Sequence, residues 1–249
     1  MSEKAKAKKK VAIVGYATTR DMAPYDDPEF EIWAVNDLFK HIKRVDKVFQ
    51  LHTPEEIDRT HKLKPEARTG WLHQKGEMAQ LKCPVYMQDV EPDIPTSVKF
   101  PLEDIIKHFA VMFLTEDQAR YFTNSISYMV AYAIYRDYKE IHVYGVDMAT
   151  TEEGEYSQQR PSCEFWLGVA AGKGIILHIP KEADLLKTRF LYGYEEEAKN
   201  AWIACVEQSL KDIAAKKNQA IQQERTWQLH RHTYQGAEQA IKEVFMRRQ

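Results

Sequence analysis

The chain has 249 residues, 44% of them hydrophobic, with 35 Lys and Arg against 37 Asp and Glu for a net charge of −2. That length fits one α/β domain of ordinary size with something appended, or two small ones, and the near-neutral balance argues against a surface given over wholly to nucleic acid, leaving room for a local patch. No apolar run reaches the roughly 18 residues of a membrane span, the opening has no apolar signal segment, and Cys83, Cys163 and Cys205 are too far apart for a metal or CxxC motif; the expected setting is reducing, cytoplasmic and without a membrane partner.

Residues 1–10 carry five lysines and read as a disordered basic tail, either solvated or touching phosphate. Residues 11–14 form a compact buried strand that runs into Gly15-Tyr16-Ala17-Thr18-Thr19-Arg20. Such a turn cradles phosphate through backbone N–H groups and hydroxyls. It has no GxGxxG and no Walker lysine, so a plain βα turn with Thr18 or Thr19 as helix cap is the other reading. Residues 31–35 are the second strand, ending at Asn36-Asp37. The Asn36 amide offers donor and acceptor to a base or ribose edge, or else caps a short helix over 38–43. Residues 47–51 are the third strand. His52 then falls at the same sheet edge as Gly15 and Asn36, as a site residue or a structural histidine. Residues 54–82 read as helix interrupted at Gly70 and Gly76, 84–87 as a short strand, 89–101 as a proline-rich loop with an edge element, and 102–120 as helix in pieces.

The stretch from 122 to 147 is the most informative. Ile126, Met129, Val130, Ala133 and Ile134 recur at helical spacing, and Asn124 or Ser125 is the natural N-cap, leaving free N–H groups and the positive dipole end at the helix start. The period then changes to a buried strand over 141–146, closed by Gly145-Val146-Asp147. Residues 148–160 are polar and without period, as functional loops are. Pro161 suits the first turn of a helix, with Glu164 inside that turn. The helix stops at Gly172-Lys173-Gly174, and 175–179 is the last strand. From Tyr194 onward there is no strand pattern. Trp202, Ile203, Val206, Leu210, Ile213 and Ala214 give a long amphipathic helix, broken near Gly236, then a short basic one ending Met246-Arg247-Arg248. These helices are expected to pack on the domain or to join copies of the chain in a homo-oligomer.

Four strand ends and one helix start thus bring Gly15 to Arg20, Asn36/Asp37, Gln50/His52, Asn124/Ser125 and Asp147 to Arg160 to one edge. Hydroxyls, amides and a helix dipole with few charges suit a nucleotide or nucleotide-sugar. Arg160 either neutralises a leaving phosphate or pairs with Glu152, Glu153 or Glu155. Asp147 with one of those glutamates offers oxygen ligands to a hard cation such as Mg²⁺, while no metal set is assigned. No nucleophile constellation is present: there is no Gly-x-Ser-x-Gly, no Cys beside a His and no HExxH.

The pattern Ser125-x-x-Tyr128-Met129-x-Ala131-x-Ala133-Ile134-x-x-x-Tyr138-Lys139-Glu140-Ile141-x-x-x-Gly145-x-Asp147 resembles the matching segment of bacterial family 42 sialyltransferases. The resemblance extends in element order over about residues 10–187. Lys10 to Gly15 stands where that family has its first strand and glycine loop, residues 30–36 where a strand ends in a nucleotide-contacting Asn, and 174–180 at the last strand before a Leu-Leu helix. The layout is also similar to an archaeal pterin pyrophosphokinase-like group, and residues 156–194 look like uncharacterised phage-encoded proteins. Two departures stand out. The family's Gly-Asn-Gly-Pro-Ser-Leu loop is Gly15-Tyr16-Ala17-Thr18-Thr19-Arg20 here, and residues 148–174 hold no counterpart of the family's general-base histidine. Tyr156 matches tyrosines that stabilise the leaving phosphate.

The expected fold is a Rossmann-like, three-layer α/β domain with a mostly parallel sheet over 11–190, followed by a helical extension over 191–249. The leading function is a nucleotide-sugar-dependent, glycosyltransferase-like enzyme. Its nucleotide would contact Gly15, Thr18, Thr19, Asn36, Asp37, His52, Asn124, Ser125, Gly145 and Asp147. Tyr156 and Arg160 would stabilise the leaving phosphate, with Glu155 or Glu164 as base. Replacing Arg160 by Ala should then depress turnover far more than folding. The acceptor is unknown, with a nucleic acid left open by the lysine tail and Arg247-Arg248. The alternatives are Mg²⁺-dependent phosphoryl or pyrophosphoryl transfer or nucleotide hydrolysis, and a silent nucleotide-binding or scaffold protein.

Overall fold

The computed structural model describes residues 10–66, 69–113, 115–148 and 155–247, with the side chains of 116, 155 and 156 left out. Seven strands form one sheet: β1 (Lys10–Val14), β2 (Phe30–Val35), β3 (Lys47–Gln50), β4 (Val85–Met87), β5 (Ser97–Lys99), β6 (Glu140–Tyr144) and β7 (Ile176–His178), in the order β5-β4-β3-β2-β1-β6-β7. Every pairing is parallel; all neighbours but β4 and β5 are joined through helical segments, and those two by the turn-rich loop of residues 88–96. Central strands of such a sheet are buried on both faces and read as unbroken apolar runs; Val11 to Val14 and Ile32 to Val35 are accordingly buried throughout.

The helices are α1 (Pro54–Leu63), α2 (Trp71–Met78), α3 (Leu102–Ala110), α4 (Ser125–Tyr135), α5 (Glu155–Gly172) and α6 (Glu196–Met246). Eight of the eleven residues of α4 are buried, Ile126, Ser127, Met129 and Val130 to Ile134, so it is a core helix with small residues where neighbours come close. Under it lies an aromatic cluster. Trp33, Phe49, Tyr86, Phe100 and Tyr132 meet with ring centroids 4.9–6.5 Å apart, and the two buried hydroxyls of Tyr86 and Tyr132 satisfy each other at 2.7 Å. Truncating Trp33 to Ala would cost about 3–5 kcal/mol.

Several expectations are corrected. The segment after β2 is a 3₁₀ helix over Asn36–His41, so Asn36 lies inside it and Val35 is the cap. Helix α5 starts at Glu155 and carries Pro161 in its interior. The region after β7 is turns through 188, with no Leu-Leu helix. Helix α6 runs 51 residues without a break at Gly236, because one exposed glycine costs only about 1 kcal/mol against Ala. The chain divides into two compact units, residues 1–187 and 188–249. No helix of the described residues is long and apolar enough to cross a membrane, and all three cysteines are free thiols.

Candidate functional site

Strand β1 lies between β2 and β6, so the chain leaves it toward one side of the sheet and returns on the other. At such a switch point the loops leaving the strands diverge and open a crevice at the carboxyl edge. Two glycines make this one. The Gly15 N–H donates to the Tyr144 carbonyl at 2.8 Å, and the Ala17 N–H to the Gly145 carbonyl at 2.9 Å. A Cβ on Gly15 or on Gly145 would collide with the other residue's carbonyl oxygen, and Gly145 has φ +65°. Only paired glycines let the first loop lie against the end of β6. Thr19, 4% exposed, locks the crossing by accepting the Gly145 N–H at 2.8 Å.

Above the crossing is a cavity of about 470 Å³ lined by Gly15, Asn36, His52, Asn124, Ser125, Gly145 and Asp147, among others. These seven are the strand-end and helix-start residues expected from the sequence. Asn124 caps α4, its Oδ1 accepting the Ser127 N–H at 2.9 Å, while its Nδ2 donates to the Gln159 carbonyl at 2.8 Å. The first N–H groups of α4 and its positive dipole end therefore face this region. Two acceptors stand out. Asn36 Oδ1 and Asp147 Oδ1 are buried and have no hydrogen-bond partner among the described residues. An unpaired buried acceptor costs about 1–3 kcal/mol. Asn36 and Met148, both in the lining, also have positive φ, at 49° and 46°, a conformation that persists only where the surroundings impose it. Burial pushes the Asp147 carboxyl above the ordinary range, helped by Asp184 and opposed by Lys187.

His52 stands at a junction. It lines this cavity and also a small polar hollow of about 70 Å³ shared with Asn36 and Gln74. Its Nδ1 is 3.6 Å from Glu56 Oε2, and Glu56 is held by a capping box with Thr53 at the start of α1. The preceding Leu51 lines a third and larger cavity of about 640 Å³, with Gln88, Phe100, Glu103, Asp104 and Tyr128 among its walls. Since Leu51 and His52 are consecutive, and Ser125 and Tyr128 are one helical turn apart, the large cavity adjoins the nucleotide-sized one. Sequence reasoning missed this second space. Its signal was Tyr128, four residues after the Asn124 cap and stacked on Phe122 at 4.4 Å.

The other expected residues do not line the 470 Å³ cavity, although Asp37 lines the small hollow with Asn36 and His52. Thr18 is exposed and Ala17, not a threonine, caps the 3₁₀ helix after β1. Asp37 accepts the Tyr16 hydroxyl and pairs with Lys40 at 3.2 Å; burial raises its carboxyl, but these two partners outweigh it and hold it below the ordinary range. Arg160 and Glu164 hold each other at 2.8 Å. Arg160 also donates to the carbonyls of Asp184 and Lys187, and Glu164 accepts the Leu186 N–H at 2.8 Å. This network ties α5 to the 184–187 segment; neither Arg160 nor Glu164 is in the cavity lining, although Asp184 and Lys187 stand near enough to Asp147 to act on its carboxyl. The Glu155 and Tyr156 side chains, and Glu152 and Glu153, lie outside the described residues, as do residues 1–9 and Arg248. Among the described residues no group of three or more His, Cys, Asp or Glu is placed to hold a metal ion.

No protein-family model matches the chain, and no curated relative does. Solved structures do. The sialyltransferase CstII from Campylobacter jejuni in complex with cytidine-5'-monophosphate is similar at 16% identity and a TM-score of 0.42, over 75% of this chain and 90% of that one. An apo alpha-2,3-sialyltransferase from the same organism matches at 15% identity and TM-score 0.39, over 80% and 96%. Its monofunctional alpha-2,3-sialyltransferase Cst-I matches at 12% identity and TM-score 0.40, over 82% and 96%. All three are sialyltransferases. That is the class the central stretch resembles, and at this distance the functional argument rests on the site itself.

Proposed function

We propose that the chain is a transferase that binds a nucleotide-linked sugar donor in the 470 Å³ cavity and passes the sugar to an acceptor held in the larger adjoining cavity. The observation that carries the reading is a pair of buried oxygens with no hydrogen-bond partner among the described residues, Asn36 Oδ1 and Asp147 Oδ1, both on residues that line the cavity at the Gly15–Gly145 crossing. Both need hydrogen-bond donors, which the amine of a base and the hydroxyls of a ribose supply. Among the described residues the cavity wall has no Lys or Arg, so the start of α4 is the element that favours the phosphate. A single phosphate suits one helix terminus beside a carboxylate better than a triphosphate does.

His52 is the proposed general base. It lines the donor cavity, borders the acceptor cavity through Leu51, and has the Glu56 carboxylate 3.6 Å from its Nδ1. It takes the acceptor hydroxyl proton as the new glycosidic bond forms and the sugar–phosphate bond breaks. The nucleotide leaves with its phosphate at α4.

Thermal unfolding against nucleoside monophosphates, diphosphates and nucleotide-sugars, with Mg²⁺ and then EDTA, tests the donor site. A ligand at about 100 times its Kd adds roughly 2.7 kcal/mol of stability. The shift should survive EDTA and be lost in Asn36→Ala; no shift with any nucleotide would sink the reading. His52→Ala should keep the shift but lower turnover by about 10²-fold or more. Unchanged turnover would remove His52 from the chemistry.

A further inference from the structure

Two side-chain amides are buried next to the loop that carries His52. Gln50, the last residue of β3, is 1% exposed, and Gln74 inside α2 is 7% exposed. Val48, on the same face of β3 by the two-residue alternation, packs with Met78, Val85 and Met87. Apolar side chains at 50 and 74 would extend that cluster, so the amides stand where burial favours hydrocarbon. They are instead joined in a chain. Gln50 Nε2 donates to Gln74 Oε1 at 3.1 Å, and Gln74 Nε2 donates to the carbonyl of Thr69 at 2.8 Å, one residue before the Gly70 N-cap of α2. At the other end Gln50 Oε1 accepts the backbone N–H of His52 at 3.4 Å. A donor at His52 and an acceptor at Thr69 allow both amides one orientation, running from α2 to the loop.

The loop needs such an anchor. The pairing of β3 with β4 ends at Gln50, and α1 begins with the Thr53 capping box. Leu51 and His52 lie between these fixed points, outside any ladder or helix. The Leu51 carbonyl accepts from Gln88 Nε2 at 2.7 Å, and the His52 N–H is held by Gln50. Both glutamines also line the hollow of about 70 Å³ that His52 shares with Asn36. A displacement of about 1 Å near a reacting group can cost about 10²-fold in rate, so a base on a two-residue link must be held by its surroundings. We propose that Gln50 and Gln74 are positioning residues for His52, transmitting the place of α2 to the His52 backbone; the proposal rests on His52 being the base.

The test uses the full-length chain. Gln74→Met and Gln50→Met nearly keep the side-chain volume and remove the hydrogen bonds. Backbone amide exchange at His52, read by NMR without any substrate, should be faster in both variants, while exchange in β1 and β6 stays as in the wild type. Hydrolysis of nucleotide-sugars, with water in place of the acceptor, should fall by about 10–100-fold in kcat, with the donor KM changed by less than about twofold. In a His52→Ala background Gln74→Met should add no further loss, because the two act through one group. Unchanged exchange at His52 overturns the proposal, as does a Gln74→Met loss that persists in full without His52. If Gln74→Met keeps kcat while His52→Ala loses it, the base stands and the positioning role fails. If His52→Ala itself keeps kcat, the base falls and the positioning role with it.

Discussion

Gly15 and Gly145 are the residues on which the site geometry depends most. Gly15→Ala places a methyl against the Gly145 carbonyl, which is backbone and cannot rotate away. The expected cost is about 3 kcal/mol, readable as a lower denaturant midpoint, and nucleotide binding should fall with it as the loop lifts from β6. Asp147 gives the opposite sign. Its carboxyl is raised mainly by burial, so between about pH 4 and its folded-state pKa the unfolded chain holds fewer protons, and stability declines as pH rises through that window. Asp147→Asn should therefore raise Tm at pH 7, leave it unchanged near pH 3, and abolish the nucleotide-induced shift. A residue that weakens the empty fold and strengthens the liganded one is what a binding site predicts; a lower Tm at pH 7 would contradict the assignment. Arg160 shows the limit of reading one residue from sequence. Its guanidinium side chain is 19% exposed and meets Glu164 and two backbone carbonyls, so Arg160→Ala should cost about 1–3 kcal/mol of stability, a larger effect on folding than the sequence reading foresaw.

Among the elements, α4 and β6 were legible for a simple reason. The helix is buried nearly all round and the strand on both faces, so the apolar pattern and the Asn124 cap fix both with little outside help. Asn124 serves the helix and the cavity together. Asn124→Ala should cost about 1 kcal/mol through the lost cap and reduce affinity for the nucleotide, whereas Asn124→Asp should keep the cap but repel the phosphate; equal affinity in both would remove α4 from the site. Helix α5 was misread because its first turns have no apolar period and Pro161 points to a helix start. Its seventh position holds instead because donors come from outside. The Thr123 hydroxyl bonds the Gln158 and Gln159 carbonyls at 3.1 and 3.3 Å and the Asn124 amide bonds Gln159 again, supplying hydrogen bonds next to the one that proline cannot make. Those donors are some 35 residues away in sequence, beyond any local pattern.

For the whole molecule, the two compact units predict separable roles. A fragment ending at residue 187 should fold and keep the nucleotide-induced thermal shift. A fragment that unfolds would show that the sheet domain depends on the helical unit for its stability.

What the sequence by itself determined is the set of elements and the edge they share. Apolar runs of four to six residues, Gly and Asn at their ends, and the change of period after residue 138 carry that information locally. The strand order, the closing of Gly15, Asn36, His52, Asn124 and Asp147 around one cavity, and the large space beside it were decided by the tertiary structure. Each depends on contacts between segments far apart in the chain: β1 on β6 across some 130 residues, and Leu51 near Tyr128 around one opening. A periodicity reports which face of an element is buried. It carries nothing about which distant backbone presses against that face, and the pressing of Gly145 on Gly15 is what opens the site.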